Sequence, residues 1–237
     1  MILYRVLRFC FFLYLRIVHR LIIRGSERVP IAGPAIICAN HTSYLDAMLM
    51  SLCTLRQVRF MVFRDFYEHP FLGFFIRRGG GIPVNQNGTD AEAFKTALGA
   101  LKQGEVIGIF PEGRLSRTGL PSTGRPGAAL LAAISGAPLV PVTIAGAFFI
   151  YPKGQMLPRP GVIRIMIHPP VTVDPGRKKD REYLQVVIDR LMIQIGKRVR
   201  GYYRMRGKKR RGTAQKTRRH AEVRARNTVR PTLEGTL

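Results

Sequence analysis

Short apolar runs alternate with stretches of helix-like composition along residues 24–196. Six runs predict buried strands, at 34–39, 58–62, 81–84, 106–110, 139–144 and 162–173. Because Pro169 and Pro170 cannot donate to a ladder, the sixth strand must lie at a sheet edge or break there. Continuous apolar strands that alternate with helices predict an α/β fold, in which helices flank a mainly parallel sheet.

Four helices are predicted between and after these strands. The segments 46–55, 90–102 and 125–135 have helix-like composition. A fourth helix follows the last strand, because its apolar residues recur at the helical spacing i, i+3, i+4, i+7 and i+11. These residues are Leu184, Val187, Ile188, Leu191 and Ile195. The spacing therefore predicts one buried helix face near the end of a domain that spans 24–196.

The first 23 residues are apolar at 18 positions and are interrupted by Arg5, Arg8, Arg16, His19 and Arg20. At about 100° per residue, these five polar groups fall within an arc of about 120°. A narrow basic arc beside a wide apolar face predicts an amphipathic helix over 1–23 that lies in a membrane surface. The alternatives are a helix packed on its own domain and a spanning helix, which the arginines disfavour.

The chain is strongly basic, with 39 Lys and Arg against 14 Asp and Glu, a net charge of +25. Such an excess favours an anionic partner, either nucleic acid, a membrane surface or acidic small molecules. Residues 197–237 hold 15 of the basic residues and two acidic ones, with few large apolar residues. We expect this segment to be a disordered basic tail. It either stays in solvent or binds anionic lipid or nucleic acid.

The three cysteines, Cys10, Cys38 and Cys53, have no CxxC spacing and occupy apolar positions. This arrangement disfavours a disulfide scaffold and a zinc site, and it favours a reducing environment. The chain also has no second histidine at ligand spacing from His41, which disfavours a metal-dependent hydrolase.

The first candidate for chemistry follows the predicted strand at 34–39. Asn40 and His41 come directly after it, and Asp46 stands five residues later near a helix start. Parallel α/β sheets bind ligands at the carboxyl ends of their strands. If Asp46 contacts His41, it fixes the imidazole tautomer and makes His41 a general base. The segment from Ser43 to Asp46 also resembles a capping box, so Asp46 is alternatively only a helix cap.

The second candidate is the polar loop at 110–119, Phe-Pro-Glu-Gly-Arg-Leu-Ser-Arg-Thr-Gly, which follows another strand. Glycine lets a backbone approach a ligand closely, and arginine binds phosphate oxygens with two parallel hydrogen bonds. The loop therefore predicts an anion-binding turn, with an ordinary surface loop as the alternative.

These segments together resemble the glycerolipid acyltransferase family, which includes lysophosphatidate and related lysophospholipid acyltransferases. The segment from Asn40 to Asp46 resembles its NHxxxxD motif. Three further blocks follow in the family's order, Gly-Ile-Pro-Val at 81–84, Phe-Pro-Glu-Gly-Arg at 110–114 and Val-Pro-Val at 140–142. The resemblance covers residues from about 20 to 170, and four ordered blocks make it specific.

The resemblance implies the fold of that family and transfer of a fatty acyl group from acyl-CoA or acyl-carrier protein to the hydroxyl of a lysophospholipid. It implies that His41 deprotonates the hydroxyl and that Asp46 orients His41. It implies no covalent acyl-enzyme, no metal and no cofactor. The residues implied to bind the acceptor are Glu112, Gly113, Arg114, Ser116 and Arg117.

The second block departs from the family pattern, which often has an arginine two residues after the strand. Here Asn85 and Gln86 follow Val84 instead. Arg77 and Arg78 are the candidates to replace this phosphate contact. The acceptor implied first is 1-acylglycerol-3-phosphate. A phosphodiester acceptor such as a lysophosphatidylethanolamine-like lipid stays open, because it has less charge and needs fewer cations.

A product with two acyl chains requires an enzyme that works at a membrane surface. We therefore expect the chain at the cytoplasmic face of the cell membrane, held by residues 1–23 and attracted by its charge. The apolar segment 71–76 is a second candidate for bilayer contact, or else plain core. A nucleic-acid-binding protein explains the charge but not the His41 and Glu112 blocks. The presence of both His41 and Asp46 disfavours a non-catalytic lipid-binding relative.

Overall fold

The computed structural model describes residues 2–85 and 91–228, which fold around one seven-stranded sheet. The strands are β1 (Arg20–Arg24), β2 (Ala35–Ala39), β3 (Val58–Phe63), β4 (Ile82–Val84), β5 (Val106–Ile109), β6 (Leu139–Ala145) and β7 (Val162–Ile167). The helices are α1 (Ile2–Val18), α2 (Asp46–Ser51), α3 (Arg64–Glu68), α4 (Pro70–Arg78), α5 (Ala91–Lys102), α6 (Gly127–Ser135), α7 (Ala147–Ile150) and α8 (Arg181–Thr228).

The sheet has the order β1-β7-β6-β2-β5-β3-β4, and among the described strands only the β6–β7 pair is antiparallel. The prediction of a mainly parallel sheet flanked by helices is confirmed. Because β7 returns antiparallel to β6, and β1 pairs parallel with β7, both begin where β2, β5 and β6 end. We call this side of the sheet the carboxyl edge. α1 leads directly into β1, so α1 also ends at the carboxyl edge.

Both faces of the sheet are covered, and every residue of β2 is buried. Ile37 packs in a cluster with Leu15 of α1 and Leu49 of α2. Its neighbours Ile36 and Cys38 face the other way, because side chains alternate along a strand. The buried residues of α5, α6 and α8 lie outside that cluster and supply the core of the second face. α1, α2 and α7 therefore form one layer, and α5, α6 and the part of α8 up to Val199 form the other.

The strand predictions agree with the structure within about two residues, except at the sixth strand. β7 ends at Ile167, before the two prolines, and Val171 then forms an isolated bridge with Leu139. The break at the prolines was one of the two expected outcomes. The predicted helices at 46–55, 90–102 and 125–135 correspond to α2, α5 and α6; residue 90 lies outside the described residues.

The helix predicted over 1–23 is wrong in its extent, because α1 ends at Val18 and β1 follows it. β1 pairs with β7 from Arg20 opposite Val162 to Arg24 opposite Met166. Isoleucine-rich segments favour strands, and the open edge of β7 supplies hydrogen-bond partners. His19, which we placed on the polar helix arc, is buried and lies 3.4 Å from the Tyr14 hydroxyl. No described helix is long and apolar enough to cross a membrane.

α8 extends well beyond the boundary that we expected at residue 196. The chain divides into two compact units, Met1–Val199 and Arg200–Leu237, and α8 belongs to both. Val199 is buried, so the apolar stripe of the helix continues for one more turn. The helical assignment of 197–228 differs from the expected disordered tail, since Arg and Lys have high helix propensity even without an apolar stripe. The rest of the predicted tail, 229–237, lies outside the described residues.

We expect Gly108→Ala to destabilise the fold, because Gly108 lies where β5 passes close to other side chains. An added Cβ would lie 2.5 Å from the Phe60 ring and 2.9 Å from the Met50 sulfur. Overpacking of this kind lowers the free energy of unfolding by about 1–3 kcal/mol, measurable by urea denaturation. Gly127→Ala is the matched control, since no atom lies within 4 Å of its added Cβ. Equal losses in both variants would contradict the packing described for β5.

Candidate active site

The loop between β2 and α2 is held firmly at the carboxyl edge by Asn40. The Asn40 side chain is fully buried. Its amide donates to the Ile144 carbonyl, and its oxygen accepts from the Ile144 N–H, both at 2.9 Å. This pair joins the end of β2 to β6 and fixes where the next residue, His41, leaves the sheet. We missed this role in the sequence, although Asn40 is part of the resemblance.

Asp46 is fully buried at the first position of α2, and its Oδ2 atom accepts three hydrogen bonds. The donors are Nδ1 of His41 at 3.2 Å and the backbone N–H groups of Thr42 at 2.5 Å and Ser43 at 2.7 Å. Burial raises the pKa of the Asp46 carboxyl, and these hydrogen bonds oppose that shift by stabilising the ionised form. Asp46 therefore both organises the loop backbone and contacts His41.

The capping box predicted from Ser43 to Asp46 forms only in half. Asp46 accepts from the Ser43 N–H as the motif requires. The Ser43 hydroxyl instead donates to the Tyr151 carbonyl at 2.6 Å and accepts from the Leu45 N–H at 3.2 Å. The loop is thus joined to the chain that follows α7, which sequence spacing gave no means to predict.

The imidazole of His41 is oriented on two sides. Its ring stacks on Phe110 with centroids 3.9 Å apart and planes 11° from parallel. With Asp46 ionised, Nδ1 holds the proton of the shared hydrogen bond, so the lone pair lies on Nε2. The His41 side chain is 23% exposed, whereas Asp46 has no exposure, so solvent or substrate reaches only the imidazole. This arrangement is what a general base requires.

The second polar block is bonded directly to the first. Oε1 of Glu112 accepts from the His41 N–H at 2.9 Å, and the Ser116 N–H donates to the His41 carbonyl at 2.8 Å. Oε2 of Glu112 accepts from the N–H and the hydroxyl of Ser122, each at 2.9 Å. Burial raises the pKa of the Glu112 carboxyl, and these hydrogen bonds oppose the shift.

The geometry of Glu112 differs from the expected contact with the acceptor. Protein donors occupy both of its oxygens, so we interpret Glu112 as a group that positions His41. Ser116 is also engaged, since its hydroxyl donates to the Leu120 carbonyl at 2.7 Å. Gly113 adopts a φ of +64°, which few other residues tolerate, and this turn places Arg114 at the surface.

Arg114 and Arg117 are exposed on the loop that follows β5. Within the described residues neither guanidinium takes part in an ion pair. Both therefore remain available to an anionic ligand at the carboxyl edge.

The backbone of Arg77 and Arg78 lies away from this edge, contrary to our expectation, although the Arg77 guanidinium reaches back to Tyr67 in α3. They end α4, which returns the chain from the end of β3 to the start of β4, on the opposite side of the sheet. Arg77 donates to the Tyr67 carbonyl at 2.8 Å, and the Arg78 guanidinium lies 5.1 Å from the Phe74 ring centroid. Sequence distance alone does not reveal that α4 turns back, so the proposed replacement was wrong in position.

Two other arginines, missed in the sequence, lie nearer the candidate site. Arg64 directly follows β3, and its Nε donates to the Asn85 carboxamide oxygen at 3.1 Å. Arg125 lies beside the turn at Gly113, where its Nε is 3.6 Å from the position of an added Cβ. Arg64 was predictable from its place at the end of a strand, whereas nothing local indicated Arg125. Among the described residues, no group of three His, Cys, Asp or Glu is placed to hold a metal ion.

Comparison with known proteins gives one consistent answer. A family model described as Acyltransferase matches residues 20–145. The chain is 26% identical over 148 residues to 1-acyl-sn-glycerol-3-phosphate acyltransferase of Bacillus subtilis, covering 62% of this chain and 71% of that protein. It is 28% identical over 177 residues to the chloroplastic BAT2 enzyme of the same name from Brassica napus, covering 70% of this chain and about half of the relative, 51%.

A solved structure resembles the fold as well. The 1-acyl-sn-glycerophosphate acyltransferase from Thermotoga maritima superposes with a TM-score of 0.61 at 28% identity. The match covers 75% of this chain and 72% of that one. The matched family region contains β1 through β6, and with them His41, Asp46 and the loop of Glu112.

We expect Asp46→Asn to lower the rate of acyl transfer by about 10²–10⁴. The amide oxygen still accepts from the loop N–H groups, but it has no charge to stabilise the His41 imidazolium, so the rate falls strongly while the free energy of unfolding falls only by about 0.5–2 kcal/mol. Rate per folded molecule and urea denaturation measure the two effects separately.

Asp180→Asn is the matched control for that variant. Asp180 accepts from the Tyr183 N–H at 2.8 Å at the start of α8, without a histidine partner. Asp180→Asn should lower the free energy of unfolding without lowering the rate of acyl transfer per folded molecule. If Asp46→Asn behaves in the same way, Asp46 is only a cap.

Proposed function

The chain belongs to the acyltransferase family, and from that premise we propose that it moves a fatty acyl group from a thioester donor to the free hydroxyl of 1-acylglycerol-3-phosphate. The product is phosphatidic acid, an intermediate of phospholipid biosynthesis. The observation that supports this proposal most strongly is the arrangement of His41 between Asp46 and Glu112 at the carboxyl edge.

The proposed reaction needs only the groups described at this edge. Nε2 of His41 removes the proton of the lysolipid hydroxyl as its oxygen attacks the thioester carbonyl. The tetrahedral intermediate collapses, the carbon–sulfur bond breaks, and the proton passes from His41 to the departing thiolate. Asp46 stabilises the imidazolium between these two steps, because its carboxylate accepts the Nδ1–H hydrogen bond. The donor is acyl-CoA or acyl-carrier protein.

The acceptor is proposed from the charge around the site. A phosphate monoester has up to two negative charges and needs several cations. Arg114 and Arg117 are exposed on the loop of Glu112, Arg125 lies beside the same turn, and Arg64 follows the adjacent strand β3. The names of the relatives support the same acceptor. A lysophospholipid with a phosphodiester, such as a lysophosphatidylethanolamine, is the second candidate, since the arginine that the family often has after β4 is absent.

We also propose that α1 holds the chain on the cytoplasmic face of the cell membrane. One narrow face of α1 packs on the domain through Phe11 and Leu15, and Arg8 on that face donates to the Leu55 carbonyl at 3.3 Å. The remaining face is exposed and mostly apolar, with Arg5 and Arg16 also exposed on it, and Ile17 is 75% exposed. The residues on this exposed face are Val6, Leu7, Phe9, Phe12, Leu13, Tyr14, Ile17 and Val18. α1 therefore packs on its domain and still presents a wide apolar surface.

The basic segment 197–237 fits the same location. It holds 15 Lys and Arg, and each such residue near an anionic leaflet contributes about 1 kcal/mol to binding. A nucleic-acid-binding protein, the alternative from a different class, accounts for this charge but gives no reason for a histidine bonded to a buried carboxylate.

We expect His41→Ala to abolish acyl transfer in a liposome assay that offers a panel of lysolipids with both donor types. Loss of the general base should lower the rate by at least about 10²–10⁴. The variant should remain folded and bound to vesicles, because His41 contributes little to the core. The wild-type chain should prefer 1-acylglycerol-3-phosphate.

Near-normal turnover of His41→Ala would contradict the assigned base. A wild-type preference for a phosphodiester lysolipid would leave the base intact and favour the second candidate acceptor.

We expect the triple change Phe9→Gln, Leu13→Gln and Ile17→Gln to weaken binding of the chain to phosphatidylglycerol vesicles by at least about tenfold. Each substituted side chain no longer gains free energy from burial in the acyl region. Sedimentation with vesicles measures the loss. Val186→Gln with Ile193→Gln is the control, because these exposed residues lie on α8 in the other layer. Point changes are preferable to deletion of 1–23, which would also remove β1. Unchanged sedimentation of the triple variant would contradict the proposed role of α1.

A further inference from the structure

The loop at 151–161, between α7 and β7, presents two adjacent apolar residues to solvent. Met156 is 90% exposed and Leu157 is 76% exposed. Lys153 and Arg159 stand on either side of this pair and are exposed as well. No sequence motif marks this segment, and the proposed chemistry does not use it.

Several polar groups of this loop are paired within the loop or with Ile150 at the end of α7. The Gln155 side chain donates to the Ile150 carbonyl at 2.9 Å and also to the Leu157 carbonyl. The Tyr151 hydroxyl donates to the Met156 carbonyl at 3.4 Å, and the Arg159 N–H donates to the Ile150 carbonyl at 2.9 Å. An apolar environment penalises unpaired backbone groups. A loop with internally paired groups enters such an environment at lower cost.

The loop lies between the candidate active site and the end of α1. At its start, the Tyr151 carbonyl accepts from the Ser43 hydroxyl at 2.6 Å, and the Tyr44 and Tyr151 rings are 5.9 Å apart. At its end, the Gly161 carbonyl accepts from the Arg20 N–H at 3.0 Å, two residues after α1. The two ends of the loop that presents Met156 and Leu157 are therefore anchored beside the loop of His41 and beside the end of α1.

We propose that Met156 and Leu157 form a second membrane-insertion site, which enters the boundary between the headgroups and acyl chains of an anionic bilayer beside the active site. Lys153 and Arg159 bind lipid phosphates at the level of the headgroups. An apolar tip between two cations matches the chemistry of an anionic leaflet. The site rests on the proposed membrane association of α1, but it is independent of the acceptor and of the acyl-transfer chemistry.

The chain contains no tryptophan, so one introduced tryptophan is a unique reporter of each position. Met156→Trp reports on the loop, Ile17→Trp on α1, and Ile193→Trp on the exposed surface of α8 in the other layer. Each full-length variant is mixed with phosphatidylglycerol-containing vesicles, with and without lipids brominated on their acyl chains. We expect emission to shift to shorter wavelength and bromine to quench it for Met156→Trp and Ile17→Trp. Ile193→Trp should show neither change.

The outcomes separate this proposal from the membrane role of α1. Quenching of Ile17→Trp without quenching of Met156→Trp would overturn the loop site and leave α1 as the anchor. Absence of quenching in all three variants would overturn both. A shift of Met156→Trp caused by soluble acyl-carrier protein, but not by vesicles, would show that the pair binds a protein instead.

A second measurement tests the membrane binding of the loop without an introduced tryptophan. Met156→Ser combined with Leu157→Ser should weaken sedimentation with the same vesicles by about tenfold or more, because two apolar side chains no longer leave water. Unchanged sedimentation of this double variant would contradict the proposal.

Discussion

The buried carboxylate of Asp46 is the constraint on which the arrangement of the site depends. One carboxylate oxygen accepts hydrogen bonds from two backbone N–H groups and from the imidazole of His41, so the chain must turn sharply between β2 and α2. Glu112, in the loop after the neighbouring strand β5, fixes the backbone of the same turn by accepting a hydrogen bond from the His41 N–H. Burial raises the pKa of both carboxyls, so their contribution to stability is greatest at low pH and declines as pH rises through the raised values. The hydrogen bonds to Asp46 therefore favour the ionised carboxylate that the chemistry needs, although burial of this charge lowers the stability of the fold.

The sheet topology brings the candidate catalytic residues and the proposed membrane-binding helix α1 to the same edge. β2, β5 and β3 end side by side, in the order in which they place His41, Glu112 and Arg64. The antiparallel β7 reverses direction, so that β7 and β1 begin at this edge, and α1 ends there. A lysolipid with its acyl chain in the bilayer then presents its polar end to the residues that are proposed to bind it. This arrangement supports the proposal that one fold serves both membrane binding and acyl transfer.

Local signals predicted most of the fold and the pair of loops at the site. Apolar runs predicted β2 to β6 within about two residues but missed β1 and made β7 too long, and the residue pattern placed His41 and Glu112 each in a polar loop after a strand. The predicted N-terminal helix was too long, because the spacing of apolar residues does not show where a helix ends and an edge strand begins. The predicted place of Arg77 failed because α4 turns back to the start of β4. The bond between Glu112 and His41 joins residues 71 positions apart, beyond any local pattern.

The tautomer of His41 is the most direct test of the proposed mechanism, because the buried carboxylate of Asp46 is what holds the imidazole proton on Nδ1. Nitrogen-15 chemical shifts of the His41 ring, recorded for the neutral imidazole in the full-length chain, distinguish a protonated from an unprotonated ring nitrogen. The account predicts a protonated Nδ1 and an unprotonated Nε2, and a mixture of tautomers in Asp46→Asn. A neutral His41 with its proton on Nε2 in the wild-type chain would contradict the account, since that nitrogen could not accept a proton from the lysolipid hydroxyl.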